Sequence, residues 1–452
     1  MIKSLKSQSR NQVFWPPRRV AATAHGSRCA TFRWLQRTTS GAAASALRAA
    51  ERCRDGNPAR SNLFPLSRFS AFRFFCPRFF ILHSSFFILL ASSARAQTPA
   101  APHYLGAPSC ASSSCHGGGG ANQNQYLVWS QRDFHSQRPV ATLATARSRQ
   151  IAAALAIDDP TTEARCTTCH APLAAVPADR RGPGFNVAEG VSCESCHGPA
   201  ENWLIPHTRK DWTTADRVFA GMRNLQNLYV RANTCVACHQ TLALPLLKAG
   251  HPELIFELDG QCVAEPKHWT EKPGWNRAQT WYVGQAVALR ELSWQLTRET
   301  TPDDHLLARW RALVWLLQKL NGVAPTLPGV GTLVTSPSPD SFQAAQAAAD
   351  SAARQAASAT WSPDLSAALL TRLAATSGDF TAASAATPGE LPARQAERLV
   401  LALDRLLLAQ TPAAPAAASQ TLNDLFKQAQ SIPDFNPATF ATTLTQFSSE
   451  LK

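Results

Sequence analysis

The sequence predicts a mainly α-helical protein in which a cysteine-rich first half is followed by helices without cysteine. Most cysteines of the first half stand in pairs three residues apart, each pair followed by a histidine. Beyond residue 275, apolar residues recur with the period of amphipathic helices. Residues 323–341 are rich in Pro, Gly, Ser and Thr and separate two groups of helical segments, which indicates a linker. With 452 residues, the chain is long enough for more than one domain.

The formal net charge of +13 belongs almost entirely to the N-terminal part of the chain. Residues 1–96 hold 16 Lys and Arg against 2 Asp and Glu, which leaves 28 basic and 29 acidic residues in the remainder. The remainder has no basic stripe of the kind that neutralises nucleic-acid phosphates. The sequence therefore predicts no nucleic-acid partner.

Residues 66–96 have the parts of a secretory signal peptide. Arginines precede an apolar run and an A-x-A cleavage site: Arg68, Arg73 and Arg78, then residues 79–90, then Ala94-Arg95-Ala96. The apolar run is short and interrupted by His83 and two serines, so it does not fit a membrane span. We expect cleavage before Gln97, a periplasmic location and no membrane span in the mature chain.

Residues 1–65 lie upstream of that signal and are rich in arginine without helical or strand periodicity. We interpret them as a spurious N-terminal extension that results from a start codon assigned too early. A functional cytoplasmic arm is the alternative. Neither interpretation enters the prediction of the fold.

Eight of the nine cysteines after residue 96 form four motifs that end in histidine. Three are C-x-x-C-H, and the fourth has four residues between its cysteines: Cys166/Cys169/His170, Cys193/Cys196/His197, Cys235/Cys238/His239 and Cys110/Cys115/His116. C-x-x-C-H is the attachment signature of c-type haem. Residues at i and i+3 share one side of a helical turn, so both thiols can add to the vinyl groups of one porphyrin. The histidine that follows can take the proximal position on iron. We predict four covalently bound c haems.

Zinc sites and disulfides also use paired cysteines. Neither explains why a histidine follows every pair, so haem is the preferred interpretation of all four motifs. The ninth cysteine, Cys262, stands alone, and we expect a buried, unreactive thiol.

Six other histidines follow residue 96 and are candidates for the second axial position: His103, His135, His207, His251, His268 and His305. A second strong ligand keeps iron six-coordinate, as in electron carriers, whereas an open position lets iron bind small molecules. We predict His135, His207, His251 and His268 as iron ligands. His103 remains open, and His305 is expected to be a solvated residue. His135 precedes an Ala-rich helical stretch that continues to about Ile157.

The motifs resemble the tetrahaem cytochrome c-554 family over about residues 104–269. The matching features are Cys193-Glu-Ser-Cys196-His197-Gly-Pro199, then Pro206-His207-Thr-Arg-Lys210, and the segment from Trp129 to His135. The resemblance implies that His135 and His207 are distal ligands and that the iron on His170 is open. It also implies a role in collecting electrons from hydroxylamine oxidation. The chain departs from the family in its C-x4-C-H motif, in the added candidates His251 and His268, and in a long C-terminal extension.

Two helices are predicted directly after the cysteine-rich half. One covers about Val283 to Leu296, and the other begins near Thr301-Pro302-Asp303-Asp304, interpreted as an N-cap, a first-turn proline and first-turn acids. The second helix has one apolar stripe and a glycine stop: Leu306, Trp310, Leu313, Leu317 and Leu320, then Gly322. A further stripe, Leu399, Leu403 and Leu406, indicates a helix near the C-terminus.

The predicted organisation has four parts after the signal peptide: a tetrahaem cytochrome c domain with a haem-filled core (97–275), a helical hairpin packed on it (276–322), a linker (323–341) and an Ala-rich helical domain (342–452). The predicted function is periplasmic electron transfer between redox protein donors and acceptors, and no catalytic residue is assigned. An oxidoreductase is the alternative, with nitrogen oxides or hydroxylamine bound as a small nitrogen-containing ligand at one five-coordinate haem. A third interpretation is a haem-bearing subunit whose C-terminal helices dock a larger complex.

Overall fold

The computed structural model describes residues 101–120, 123–323, 330–331, 333, 335–386, 390–410, 415–430, 432 and 434–451. It is mainly helical, with 60% helix and almost no strand, which confirms the predicted fold class. All described residues belong to one compact unit. The predicted extension, signal peptide and cleavage site lie outside the described residues, as does part of the predicted linker.

Short helices joined by loops make up the first part of the structure. They are α1 (Gln125–Arg132), α2 (Arg138–Leu143), α3 (Ala146–Ala154), α4 (Ala164–His170), α5 (Cys193–His197), α6 (Thr214–Phe219), α7 (Leu228–His239), α8 (Leu244–Lys248) and α9 (Leu258–Ala264). Short 3-10 turns lie between them at Ala107–Cys110, Ala178–Arg180, Val187–Glu189 and Pro206–Thr208. Such short helices have little stability of their own, so packing and bound groups must hold them.

Each C-x-x-C-H motif forms a helical turn, as its spacing predicts. Two motifs occupy α4 and α5, and the third forms the last turns of α7. The motif with the longer gap differs, because Cys110 ends a 3-10 turn and the next four residues make a separate loop. The backbone N–H of His116 donates to the carbonyl of Cys110 at 3.2 Å, which closes that loop.

The Ala-rich stretch after His135 does not form one helix. It is divided into α2 and α3 at Thr145, whose hydroxyl accepts a hydrogen bond from the backbone N–H of Ser148 at 3.3 Å. A threonine at this position caps a new helix instead of continuing the old one. The predicted helical stretch is therefore divided into two helices, the second of which ends at Ala154.

Longer helices form the second part of the structure. They are α10 (Arg277–Leu296), α11 (Asp304–Lys319), α12 (Pro339–Ser358), α13 (Pro363–Ala374), α14 (Ser377–Ala386), α15 (Leu391–Leu407), α16 (Ala416–Gln430) and α17 (Pro437–Glu450). The two predicted apolar stripes are confirmed as buried, in α11 and α15. Gly322 follows α11 with a φ of +72°, a conformation that suits a glycine at a helix end.

The N-cap of α11 is Asp303, not Thr301 as predicted from the sequence. The Asp303 carboxylate accepts a hydrogen bond from the backbone N–H of His305 at 3.0 Å, so Pro302 stays outside the helix. An aspartate and a threonine are both good N-caps, and only the backbone path decides between them.

The central helix of the core is α10, which packs against α7, α9, α11, α12 and α15. It approaches α9 closely at Gly284, where a Cβ atom would lie 2.7 Å from Cβ of Leu258. The main hydrophobic cluster extends from α7 to α17, whereas Ile151 of α3 belongs to a small separate cluster with Leu242 and Leu246, which follow α7. The apolar core therefore lies in the second part of the structure.

The hairpin of α10 and α11 shares this core with α12, which packs along α10. The boundaries of the predicted domains stay predictions, including the separation of 342–452 from the rest. Within the described ranges, every helix is too short or too polar to cross a membrane.

Candidate functional site

A cavity of about 1150 Å³ lies among the short helices of the first part. Seven of the eight motif cysteines line it, and Cys115 is the exception. All eight histidines predicted as iron ligands line it as well: His116, His135, His170, His197, His207, His239, His251 and His268. The structure therefore brings together residues from 110 to 268, which are far apart in the chain.

A buried carboxylate connects the Cys110 motif and the Cys193 motif, which are the first and third in chain order. Glu194, inside the third motif, is 1% exposed and accepts hydrogen bonds from three backbone N–H groups. The donors are Leu105 at 2.9 Å, Gly106 at 2.7 Å and Ala200 at 2.7 Å. Because these bonds satisfy the buried charge, the chain before Cys110 is fixed against α5.

The motifs neighbour one another in space in an order that differs from the chain order. Cys110 in the first motif in chain order lies close to Cys193 in the third, and the neighbouring thiol lowers the pKa of Cys110. Cys169 in the second motif likewise lies close to Cys238 in the fourth, which lowers the pKa of Cys169. The nine described cysteines form no disulfide with one another.

Six of the cavity histidines face one another in three pairs. The ring centroids of His116 and His207 are 6.0 Å apart, with an angle of 21° between the ring planes. Those of His135 and His239 are 6.1 Å apart at 87°. Those of His170 and His251 are 6.5 Å apart at 78°. Each pair joins one motif histidine to one histidine outside the motifs.

This separation fits two imidazoles that bind one metal ion from opposite sides. A metal–nitrogen bond of about 2.0–2.1 Å, as zinc makes, and a ring radius of about 1.1 Å place the two centroids about 6.4 Å apart. The observed separations of 6.0 to 6.5 Å are compatible with this arrangement.

The protonation of the rings also fits metal binding. In six of the eight cavity histidines, Nδ1 hydrogen-bonds a protein oxygen at 2.7 to 3.2 Å. The partners are Gln125 for His116, Asp133 for His135, Pro139 for His170, Trp203 for His207, Pro252 for His251 and Pro266 for His268. A carbonyl or carboxylate oxygen can only accept, so Nδ1 carries a proton, and in a neutral ring the lone pair is then on Nε2. Histidine ligands in metal sites are oriented in this way.

Burial keeps several of these rings neutral, which is the form that binds metal. Burial, assisted by His268 and Arg223, lowers the pKa of His197 to about 4. Burial, assisted by His135, likewise lowers the pKa of His239 to about 4. The pKa of His251 is lowered chiefly by burial.

His135 has two acidic neighbours. Its Nδ1 lies 3.1 Å from Oδ1 of Asp133 and 3.4 Å from Oε2 of Glu265. The three side chains are close enough together to hold a metal ion by themselves. The ring of His239 on the other side of His135 favours a different role, in which the carboxylates orient the imidazole through Nδ1.

Two histidines lie outside the cavity lining. His103, which the sequence left open, pairs through Nδ1 with Glu201 at 2.8 Å on the surface. His305 is not the solvated residue that the sequence predicted. Its side chain is 28% exposed and forms ion pairs with Glu253 at 3.2 Å and Glu390 at 3.0 Å. Both carboxylates come from distant parts of the chain, so no local pattern could have revealed them.

The expectation for Cys262 was a buried thiol, and Cys262 is 5% exposed. Burial raises its pKa to about 11, against the opposing charge of Arg231. A thiol that stays protonated at neutral pH is a poor nucleophile.

Residues 109–198 match the family model of cytochrome c554 and c-prime. Over this segment the chain is similar to the cytochrome c554 family. The similarity supports a c-type cytochrome with covalently bound haem c and a role in electron transfer. No curated protein and no solved structure is similar enough to give a match. The matched segment contains the first three motifs in chain order, and Cys235-Val-Ala-Cys238-His239 lies beyond it.

Sequence reasoning missed the hydrogen-bond acceptors that orient the histidines of the cavity. Asp133 stands two residues before His135, and this spacing could have identified it. Glu265 and Gln125 carry no such signal, because each is brought to its histidine by the fold.

Proposed function

We propose that this cytochrome holds four c-type haems in its cavity and transfers electrons in the periplasm. When bound, the haems supply reversible one-electron exchange between ferric and ferrous iron. The observation that carries the proposal is the set of opposed histidine rings, each joining a motif histidine to a histidine from elsewhere in the chain. An open, catalytic haem needs only one such histidine.

The ring pairs support an assignment of axial ligands. His116 would be the proximal ligand paired with His207, His239 would pair with His135, and His170 with His251. The two remaining cavity histidines, His197 and His268, would form the fourth pair. Their proximity supports this, since His268 contributes to the lowered pKa of His197. The motif cysteines, from Cys110 to Cys238, would provide the thioether bonds.

This arrangement suits an electron carrier better than a catalyst. Two histidines per iron keep the coordination the same in both oxidation states, so little rearranges when an electron arrives. The thiol contacts between motifs bring the attachment sites of different haems close together, which favours transfer between them. Redox proteins would be the donors and acceptors.

The alternative is an oxidoreductase that acts on nitrogen oxides or hydroxylamine at one five-coordinate haem. Family resemblance points to the iron on His170 for that site. The ring of His251 faces His170, so a small nitrogen-containing ligand would have to displace His251. This geometry favours the carrier.

We also propose that the protein is exported by residues 66–96 and cleaved before Gln97. Proteins of the cytochrome c554 family are typically periplasmic, which supports this location. N-terminal sequencing of exported protein tests the cleavage site, and a mature chain beginning elsewhere would overturn it.

The number of haems is tested on protein exported from a host with haem-attachment machinery. We expect the intact mass and the absorbance of the denatured haem to give four covalent haems per chain. Changing Cys166→Ser and Cys169→Ser together should reduce the count to three. Cys262→Ser is the matched control, since Cys262 lines the same cavity outside any motif, and it should leave four. Purified protein that contains zinc or disulfides and no haem contradicts the proposal.

A further inference from the structure

The segment from Gly250 to Glu257 has no helix or strand, and it connects α8 to α9. Gly250, with a φ of +103°, reverses the chain at the end of α8. His251 follows at once and faces His170. The carbonyl of Gly250 accepts a hydrogen bond from Arg147 at 2.8 Å, which fixes this end of the segment near α3.

The side chain of Glu253, two residues after His251, is held by α11 and α15. It forms ion pairs with Arg309 of α11 at 2.9 Å and with Arg394 of α15 at 2.8 Å. His305, at the start of α11, lies 3.2 Å from the same carboxylate. Both arginines are 3% exposed, and buried charges of this kind persist only where partners satisfy them.

The same two helices hold the backbone of the segment. Arg309 donates to the carbonyl of Leu254 at 2.6 Å, and Arg398 of α15 donates to that of Phe256 at 3.1 Å. Arg405, about two helical turns after Arg398 in α15, forms an ion pair with Glu257 at 2.9 Å. Four arginines from the C-terminal helices therefore contact the segment at consecutive or alternate residues.

We propose that α11 and α15 act to position His251 as the second axial ligand of the haem on His170. The site that family resemblance leaves open would then be closed by a residue that the C-terminal helices hold in place. Glu253, Arg309 and Arg394 are the positioning residues. The inference rests on the proposed function, because it presupposes a haem attached at Cys166 and Cys169.

The family match ends before the residues that are proposed to position His251, which supports an arrangement particular to this chain. The match ends at residue 198, whereas the segment and both helices come later in the sequence. A ligand on a long loop between two short helices would lose much conformational freedom on binding iron. Contacts that fix the backbone beforehand reduce that loss, so removing them should weaken the bond between His251 and iron.

The test uses full-length protein with its haems attached, studied by EPR when oxidised and by carbon monoxide binding when reduced. We expect the unaltered protein to show four low-spin irons and no rapid binding of carbon monoxide. His251→Ala should produce one high-spin iron that binds carbon monoxide, and added imidazole should restore the low-spin signal. Glu253→Gln should increase the apparent affinity for carbon monoxide at one haem by about tenfold, since outer contacts of a ligand typically contribute that much.

Asp379→Asn is the matched control. Asp379 in α14 pairs with Lys319 of α11 at 2.5 Å, so it makes a similar carboxylate contact in the same group of helices without touching the segment. The Asp379→Asn variant should bind carbon monoxide as the unaltered protein does. If Glu253→Gln does not fold, as judged by circular dichroism, His305→Gln removes a more exposed contact to the same carboxylate and should shift affinity in the same direction.

The outcomes separate this inference from the proposed function. One high-spin iron in the unaltered protein, with four haems present, overturns the assignment of His251 and leaves the tetrahaem proposal standing. If Glu253→Gln and Asp379→Asn bind carbon monoxide with the same affinity, the positioning role alone is overturned. Absence of covalent haem overturns both.

Discussion

Among the histidines that line the cavity, His135 has the strongest hydrogen-bond acceptors at Nδ1, because two carboxylates lie beside it. Asp133 is 5% exposed and Glu265 is partly buried, so water screens their charges little. A carboxylate that accepts the Nδ1 proton makes Nε2 a stronger donor to metal. A stronger donor stabilises ferric over ferrous iron and lowers the reduction potential. The carbonyl acceptors of His170, His207 and His251 have a weaker effect.

We therefore expect Asp133→Asn to raise the reduction potential of one haem, as measured in a potentiometric titration. An increase on the order of 60 mV corresponds to a tenfold change for a one-electron step. Glu265→Gln should raise the same potential by less, since its oxygen is further from Nδ1, at 3.4 Å against 3.1 Å. A potentiometric titration followed by visible absorbance and EPR measures both shifts.

Glu201→Gln is the control for these two variants. Glu201 pairs with His103 at 2.8 Å, which is also a carboxylate–histidine contact, but His103 does not line the cavity. The reduction potentials of the Glu201→Gln variant should match those of the unaltered protein. Equal shifts in all three variants would mean that overall charge, and not the contact with His135, sets the potential.

At the scale of elements, one histidine joins three parts of the fold. His305 begins α11, Glu253 belongs to the segment after α8, and Glu390 stands directly before α15. Arg394 of α15 lies against the same carboxylates and repels the charged imidazole. Burial opposes the charge of His305, but the hydrogen bonds with Glu253 and Glu390 outweigh it and raise its pKa to about 9.

This raised pKa predicts a pH dependence of stability. The charged form of His305 is favoured in the folded state, so its contribution is fully present below the ordinary pKa of 6.5 and is lost as pH rises through about 9. We expect the free energy of unfolding to fall by about 1–3 kcal/mol over that interval. Denaturant unfolding of the holoprotein, followed by far-UV circular dichroism, measures it.

His305→Gln should be less stable at pH 6.5 and should lose most of this slope. Other groups titrate near pH 9, and comparing the variant with the unaltered protein removes their contribution. The same slope in both proteins would show that His305 does not gain its charge on folding.

Helices and attachment motifs could be predicted from the sequence because their signals are local. The stripe from Leu306 to Leu320 and the motif turns at Cys166 and Cys193 are repeats within a few residues. Thr145 and Asp303 show the limit, since competing capping residues are resolved by the backbone path. The partners of the histidines could not be predicted, because Glu253 and Glu265 reach them only through tertiary packing.

At the scale of the whole molecule, apolar packing and cofactor binding occupy different regions. The main cluster of buried residues begins at Leu228 in α7 and continues to Phe447 in α17. Before α7, Ile151 belongs to the small separate cluster, and the cavity takes the place of a core. Porphyrin faces would supply the buried apolar surface that this region lacks.

This division predicts which parts of the chain depend on haem. In protein produced without haem attachment, the helices from α10 to α17 should stay folded, because their burial comes from side chains alone. Residues from about 104 to 227 should lose stable structure, because short helices around an unfilled cavity bury too little apolar surface to offset chain entropy. Hydrogen exchange measured by mass spectrometry compares the two forms region by region.

We expect slow exchange in α10 and α12 to be nearly equal in both forms, while α4 and α5 lose protection in the form without haem. The behaviour of α7 is the most informative, since Leu228 and Ala232 in its first turns belong to the main hydrophobic cluster and its C-terminal end carries Cys235 and Cys238. Its N-terminal amides should remain protected while protection decreases towards His239. Loss of protection throughout α10 would instead mean that the helical core itself requires haem. The C-terminal helices could then not act as a preformed support for His251, because they would form only together with the site they are proposed to complete.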